Sequence, residues 1–145
     1  MNVLHSLTLE VRFRDCDPMG HVNNAVYLTY LEQARFSHWR MLWGFRARPR
    51  PTGVAGAETD TTPGVILARA EIDYRSPARA GDVLEVRLGI VAIGRTSFSY
   101  EYEIVDQNGR VVAMAKSVQV MYDYGAGTPV PVPAGIRRLL EGAPG

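Results

Sequence analysis

Apolar and polar residues alternate with a period of two along much of this chain, the spacing that turns one face of an extended strand toward a core and the other toward water. Leu7, Leu9, Val11 and Phe13 alternate with Thr8, Glu10, Arg12 and Arg14; Ile66, Ala68, Ala70, Ile72 and Tyr74 stand opposite Arg69, Glu71, Asp73 and Arg75. Leu84, Val86, Leu88 and Ile90 repeat the scheme, as do Phe98, Tyr100, Tyr102 and Ile104 against Ser97, Ser99, Glu101 and Glu103. Asp106-Gln107-Asn108-Gly109 is a tight hairpin signal ahead of Val111 to Tyr122. Five half-buried antiparallel strands are predicted.

Between the first and second of these strands the period changes. From about Ala25 to about Trp43, Tyr27, Leu31, Ala34, His38 and Leu42 fall in one helical row, and Leu28, Tyr30, Trp39 and Met41 widen it. So wide an apolar perimeter predicts one long helix buried on several sides. Arg46 to Pro63, rich in Pro, Gly and Thr, reads as a connection, and Pro129 to Pro133 leads to a short terminal helix near Ala134 to Glu141. Strand, helix and four further strands suit an α+β fold in which a curved five-stranded antiparallel sheet wraps the helix.

Composition narrows the classes of function. A chain of 145 residues with 46% hydrophobic content can bury a core of its own, and residues 1–145 read as a single domain. Sixteen basic against fifteen acidic residues leave a net charge of +1, so no global field favours nucleic acid or an anionic membrane. No apolar run is long enough to span a bilayer, and Met1 to Glu10 lacks the basic-then-apolar layout of a leader; a cytoplasmic protein is expected. One cysteine, Cys16, rules out an internal disulfide, and three scattered histidines without a ligand spacing make a metal site unexpected.

The candidate chemistry is concentrated just ahead of the helix. Residues 13 to 27, Phe-Arg-Asp-Cys-Asp-Pro-Met-Gly-His-Val-Asn-Asn-Ala-Val-Tyr, combine two acids, a Pro18/Gly20 turn, an imidazole and two carboxamides. Asn23 or Asn24 suits the helix cap, and unpaired N–H groups of the first turn can polarise a carbonyl while a nearby carboxylate attacks it or activates water. Taken by itself, Asp17 better suits a turn residue bonding its own backbone, as an isolated Asp before Pro usually does. Asp15 reads as a loop-fixing residue and Cys16 as packing. His38, on the apolar row, reads as a hydrogen-bonded core residue, and His5 as an uninformative terminal one.

This stretch resembles the signature of hotdog-fold acyl thioesterases: the F-x-D-x-D-P-x-G run of the 4-hydroxybenzoyl-CoA type, and the D-x-D-x-x-x-H-V-N-N-x-x-Y run of the acyl-carrier-protein type. Strand, helix, four strands is also the hotdog order. The resemblance implies an acyl-CoA or acyl-carrier-protein thioesterase with Asp17 as nucleophile or general base and the Asn24 N–H as oxyanion donor. His21 stands where the second type places a functional histidine, although Met19 replaces the Asn that precedes it there, so chemistry and loop structure both remain open for His21. In another branch a helix glutamate is the catalytic carboxylate, and Glu32 occupies that offset; its bland alternative is an ion pair with Arg35.

Asn23 and Tyr27 are substrate-contacting candidates in the same run. By composition alone the strand connection Gly94-Arg95-Thr96-Ser97 suits a plain hairpin with a solvated Arg; the 4-hydroxybenzoyl-CoA type places nucleotide contacts here, which implies a phosphate on Arg95, Thr96 and Ser97. Arg75, Arg79 and the cluster Arg46, Arg48 and Arg50 are lesser candidates. The resemblance implies no cofactor beyond coenzyme A as part of substrate or product, no metal, and a homodimer or dimer of dimers. A hotdog dehydratase on acyl carriers and a non-catalytic acyl-thioester binding protein are the alternatives.

Overall fold

The computed structural model describes residues 1–43 and 64–142, so the connection expected over Arg46–Pro63, with its arginine cluster, lies outside the described residues. Six strands, β1 (His5–Glu10), β2 (Gly64–Tyr74), β3 (Val83–Ile93), β4 (Ser97–Val105), β5 (Val111–Asp123) and the two-residue β6 (Thr128–Pro129), form one antiparallel sheet. The order is β1-β3-β4-β5-β2, with β6 beside β5. Helices α1 (Val26–Trp43) and α2 (Ala134–Leu140) complete it. Among the described residues α2 falls where the short terminal helix was expected, and a sixth strand joins the expected five; that strand is too short to carry an alternation.

The period-two pattern places the core. Phe98, Tyr100, Tyr102 and Ile104 on β4, and Leu84, Val86 and Leu88 on β3, are at most 1% exposed. The hairpin at Asp106–Gly109 forms as expected: Asp106 N–H donates to Arg110 O, Gly109 N–H donates to Asp106 O, and Gly109 takes φ +78°, a left-handed conformation that glycine adopts without strain. Two expectations fail where the register breaks. A shift between Leu67 and Arg69 takes Ala68 off the shared face, leaving it exposed. Phe13 does not continue the first strand: the chain curls into a 3-10 turn over Phe13–Asp15, and Phe13 is 89% exposed.

Helix α1 lies against β1 and β3. Tyr27, Tyr30, Leu31, Ala34, His38 and Trp39 are buried, whereas Leu28 and Met41 face away, 43% and 61% exposed. The helix is thus buried on one broad face rather than on several sides. The layer between helix and sheet is partly polar. The Tyr100 hydroxyl lies 2.6 Å from Nδ1 of His38 and accepts from Trp39 Nε1; Arg35 donates to Tyr102, whose hydroxyl bonds Ser117, which also bonds Gln119. Contrary to expectation, His5 is part of this layer: its ring stacks on His38 at 5.4 Å and bonds Ser37.

Burial, with His5 beside it, pulls His38 down from 6.5 to about 4. Its neutral form is favoured by folding, so the stabilisation is complete above pH 6.5 and is lost as pH falls from there through about 4. Equilibrium denaturation between pH 7 and 4 should show a loss of up to about 3 kcal/mol from this group. His38→Gln should be less stable at pH 7 and lose most of that slope; an unchanged slope would assign it to other groups.

Candidate active site

The loop between β1 and α1 is built around a buried carboxylate. Asp15, 3% exposed, accepts from the Arg12 backbone N–H (3.0 Å), from Arg12 Nη2 (3.0 Å) and from the Tyr30 hydroxyl (2.8 Å). Burial alone would raise its pKa, but these three bonds outweigh it and hold Asp15 below the usual carboxylate range. The Tyr30 hydroxyl, buried and donating to that carboxylate, is pushed well up. One residue on, Cys16 pairs with Val22 across the loop neck, while the Val11 backbone bonds Asp82 and Gly81.

Between Cys16 and Val22 the chain makes the turn foreseen from Pro18 and Gly20. Gly20 takes φ +87°, and Asp17 Oδ1 accepts the Met19 N–H at 2.9 Å. Asp17 therefore does act as a turn residue, with one of its two oxygens. Its other oxygen, Oδ2, lies 3.6 Å from Nδ1 of His21, and the Asp17 side chain keeps 23% of its surface exposed.

The helix entry leaves one donor over. Val22 N–H donates to Ala78 O, Asn23 N–H to Asp15 O, Ala25 N–H to the Asn23 side-chain oxygen and Val26 N–H to Asn23 O. Asn23 is thus the cap. Among the described residues, the Asn24 N–H alone in the run 22–26 has no acceptor, and it sits ahead of the positive end of α1.

His21, Val22, Asn24 and Tyr27 line an open cleft of about 220 Å³, whose other wall is Tyr74, Arg75, Ser76 and Pro77 from the end of β2. The Tyr74 hydroxyl donates to Asn24 O at 2.9 Å, and its ring meets Tyr27 edge-on at 5.3 Å. Tyr27 is buried and its hydroxyl raised, chiefly by that burial. His21, Asn24 and Tyr27, all singled out from the sequence, lie on this one cleft. Sequence reasoning counted Tyr74 as an inward strand residue, missed Ser76, and weighed Arg75 only for phosphate. No local signal marks this wall, because it meets the loop from about 50 residues away.

Other candidates lie elsewhere. Glu32 was expected to be partly buried and is exposed; Arg35, its expected partner, is buried against Tyr102 instead. The helix turns Glu32 to the Leu28 side, away from the sheet. Arg95, Thr96 and Ser97 form the β3–β4 turn, closed by Gly94 N–H to Ser97 O and braced by Arg137 on Gly94 O. That turn stands at the opposite end of β3 from the Asp17 loop, which meets the sheet near Asp82. Eleven residues of β3 separate the two ends, roughly 30 Å at strand rise.

A family model described as "Thioesterase-like superfamily" matches residues 11–140. The chain belongs to that superfamily. A thioesterase from Thermus thermophilus, solved with coenzyme A and zinc, superposes with a TM-score of 0.76 at 32% identity, over 96% of this chain and 98% of that one. A 1,4-dihydroxy-2-naphthoyl-CoA hydrolase from Synechococcus elongatus is 26% identical over 134 residues, 90% of each chain. A 1,4-dihydroxy-2-naphthoyl-CoA thioesterase from Synechocystis shares the fold, with a TM-score of 0.75 at 21% identity and 94% coverage of both chains. This is a hotdog-fold thioester hydrolase. Among the described residues, no three His, Cys, Asp or Glu side chains gather to hold a metal, and no helix is long and apolar enough to cross a membrane.

Proposed function

We propose that this thioesterase hydrolyses acyl-CoA, with the thioester carbonyl in the cleft at the start of α1. The observation that carries the reading is the Asn24 N–H: every neighbouring donor from 22 to 26 is satisfied, and this one is left at a helix entry beside the cleft. An oxyanion forming on the carbonyl would accept that N–H. Asp15 is fully engaged, so Asp17 is the loop carboxylate with an oxygen to spare. It acts as nucleophile, forming a mixed anhydride as the C–S bond breaks and the CoA thiolate leaves, with water then cleaving the anhydride to the free acid, or as general base on the water that displaces the thiolate. His21, on the cleft wall and 3.6 Å from Asp17, orients water or carries its proton.

Asn23 caps the helix beside the bound group, and Tyr27 with Tyr74 forms its aromatic wall. Flat or aromatic acyl groups suit such a wall, in keeping with the aryl-CoA named for two of the similar proteins. The enzyme works as one domain in the cytoplasm, without a resident cofactor. Its nucleotide contact at Arg95, Thr96 and Ser97 is too far from Asn24 to serve the same thioester within one chain, so a second copy would supply it. β2 ends the sheet with Leu67 and Tyr74 about half exposed (47% and 48%), an edge suited to pairing with that copy.

Asp17→Asn should keep the fold and substrate binding while lowering kcat by roughly 100-fold or more; Glu32→Gln, exposed and off the cleft, should cost about tenfold or less. The reverse ranking in steady-state assays of purified variants would move the chemistry to the helix glutamate. Arg95→Ala should raise KM for an acyl-CoA far more than for the matching acyl-pantetheine; equal changes would remove Arg95 from nucleotide binding. Light scattering at micromolar concentration should give a dimer or tetramer, and a monodisperse 16.0 kDa species would refute assembly.

A further inference from the structure

Asn24 is held from both sides, and one of those holds comes from a distant strand. Its preceding carbonyl, Asn23 O, accepts the Val26 N–H at 2.9 Å, and its own carbonyl accepts the Tyr74 hydroxyl at 2.9 Å. The first bond is local and belongs to any helix entry. The second ties the peptide to the last residue of β2, an edge strand with no other backbone bond to this loop among the described residues.

Tyr74 is placed for this in an unusual way for an edge residue. It is 48% exposed in the single chain, and there its ring is braced edge-on by Tyr27 and its hydroxyl is engaged. Tyr27 is in turn packed edge-on against Tyr30, which donates to Asp15, whose carbonyl accepts the Asn23 N–H. Two tyrosine ring contacts and three hydrogen bonds, with the Asn23–Asn24 peptide, close a ring around Asn24. Of the backbone N–H groups from 22 to 26, the Asn24 N–H is the one without an acceptor among the described residues.

We infer that Tyr74 is a positioning residue: its hydroxyl, by gripping the Asn24 carbonyl, fixes the peptide after Asn24 while Val26 holds the one before it, and so keeps the Asn24 N–H aimed into the cleft. The inference rests on the proposed oxyanion role of that N–H. An oxyanion donor stabilises a transition state only if its direction is set before charge develops, and a residue free to rotate about φ and ψ would lose that advantage. The Tyr74 hydroxyl proton is committed to Asn24, so the group has no donor left to offer a substrate.

Tyr74→Phe keeps the ring against Tyr27 and removes only the donor. It should lower kcat about fivefold to tenfold, the size of one hydrogen bond, with KM for the same acyl-CoA unchanged within about twofold and thermal midpoint nearly unchanged. Tyr74→Leu, which also removes the ring, should cost more in kcat. Asp17→Asn is assayed in parallel on the same substrate. An inactive Asp17→Asn beside a Tyr74→Phe with normal kcat overturns the positioning role alone. Full activity in both removes the site reading and the inference with it, whereas a slowed Tyr74→Phe beside an active Asp17→Asn supports the inference and moves the base elsewhere. A Tyr74→Phe protein too unstable to assay, or one in which KM rises as kcat falls, would make the hydroxyl a fold or substrate contact and overturn the proposal.

Discussion

The Asp15 carboxylate, almost wholly removed from water, fixes where everything at the site can be. A charge at that depth is tolerated only with strong partners, and it finds them in three places: the backbone and guanidinium of Arg12 where β1 ends, and the Tyr30 hydroxyl one turn into α1. The bond to Tyr30 spans 15 residues and binds the loop to the helix it precedes. The Asp15 carbonyl adds a bond from the Asn23 N–H. Loop entry, loop exit and first helical turn are therefore one rigid unit, and the Asp17 turn hangs between fixed ends.

The sheet order supplies the other half of the site. Because β2 pairs with β5 at the far edge while α1 lies over β1 and β3, the helix leaves the inner face of β2 partly uncovered. The cleft opens at this uncovered corner, where the end of β2 approaches the start of α1. One wall is polar and comes from the loop; the other is Tyr74 to Pro77. A carbonyl at the corner would meet the N-terminal end of the helix dipole on one side and an aromatic face on the other. The same topology sends the β3–β4 turn to the opposite end of the molecule, which separates the nucleotide candidates from the thioester candidates within a chain.

Much of the fold was legible in residue order alone. Strand β4 alternates throughout and β3 alternates from Leu84 to Leu88, and over these stretches the buried faces are the ones the period assigns. The 13–27 stretch was legible for a different reason: a proline, a glycine and two asparagines act on their own backbone, over distances the sequence already sets. Ala68 and Phe13 were misplaced because a bulge and a 3-10 turn each change the face count by a hydrogen bond that periodicity does not record. Glu32 was misjudged because its apolar neighbours in sequence lie on another face of the helix.

What the sequence by itself determined is therefore local: the strands, the helix and its asparagine cap, the turn at Gly20, and the clustering of Asp17, His21 and Asn24 within eight positions of one another. Tertiary structure decided which of these groups keep an unbonded polar atom. Asp15 and Asp17 are chemically alike and two residues apart, yet one is consumed by Arg12 and Tyr30 and the other keeps an oxygen. The Asn24 N–H is distinguished from its neighbours only after Ala78, Asp15 and Asn23 have taken theirs. Tyr74 joins the site only because an antiparallel edge strand ends beside a helix that begins 48 residues earlier, a proximity set by sheet order and core packing, which no short-range pattern encodes.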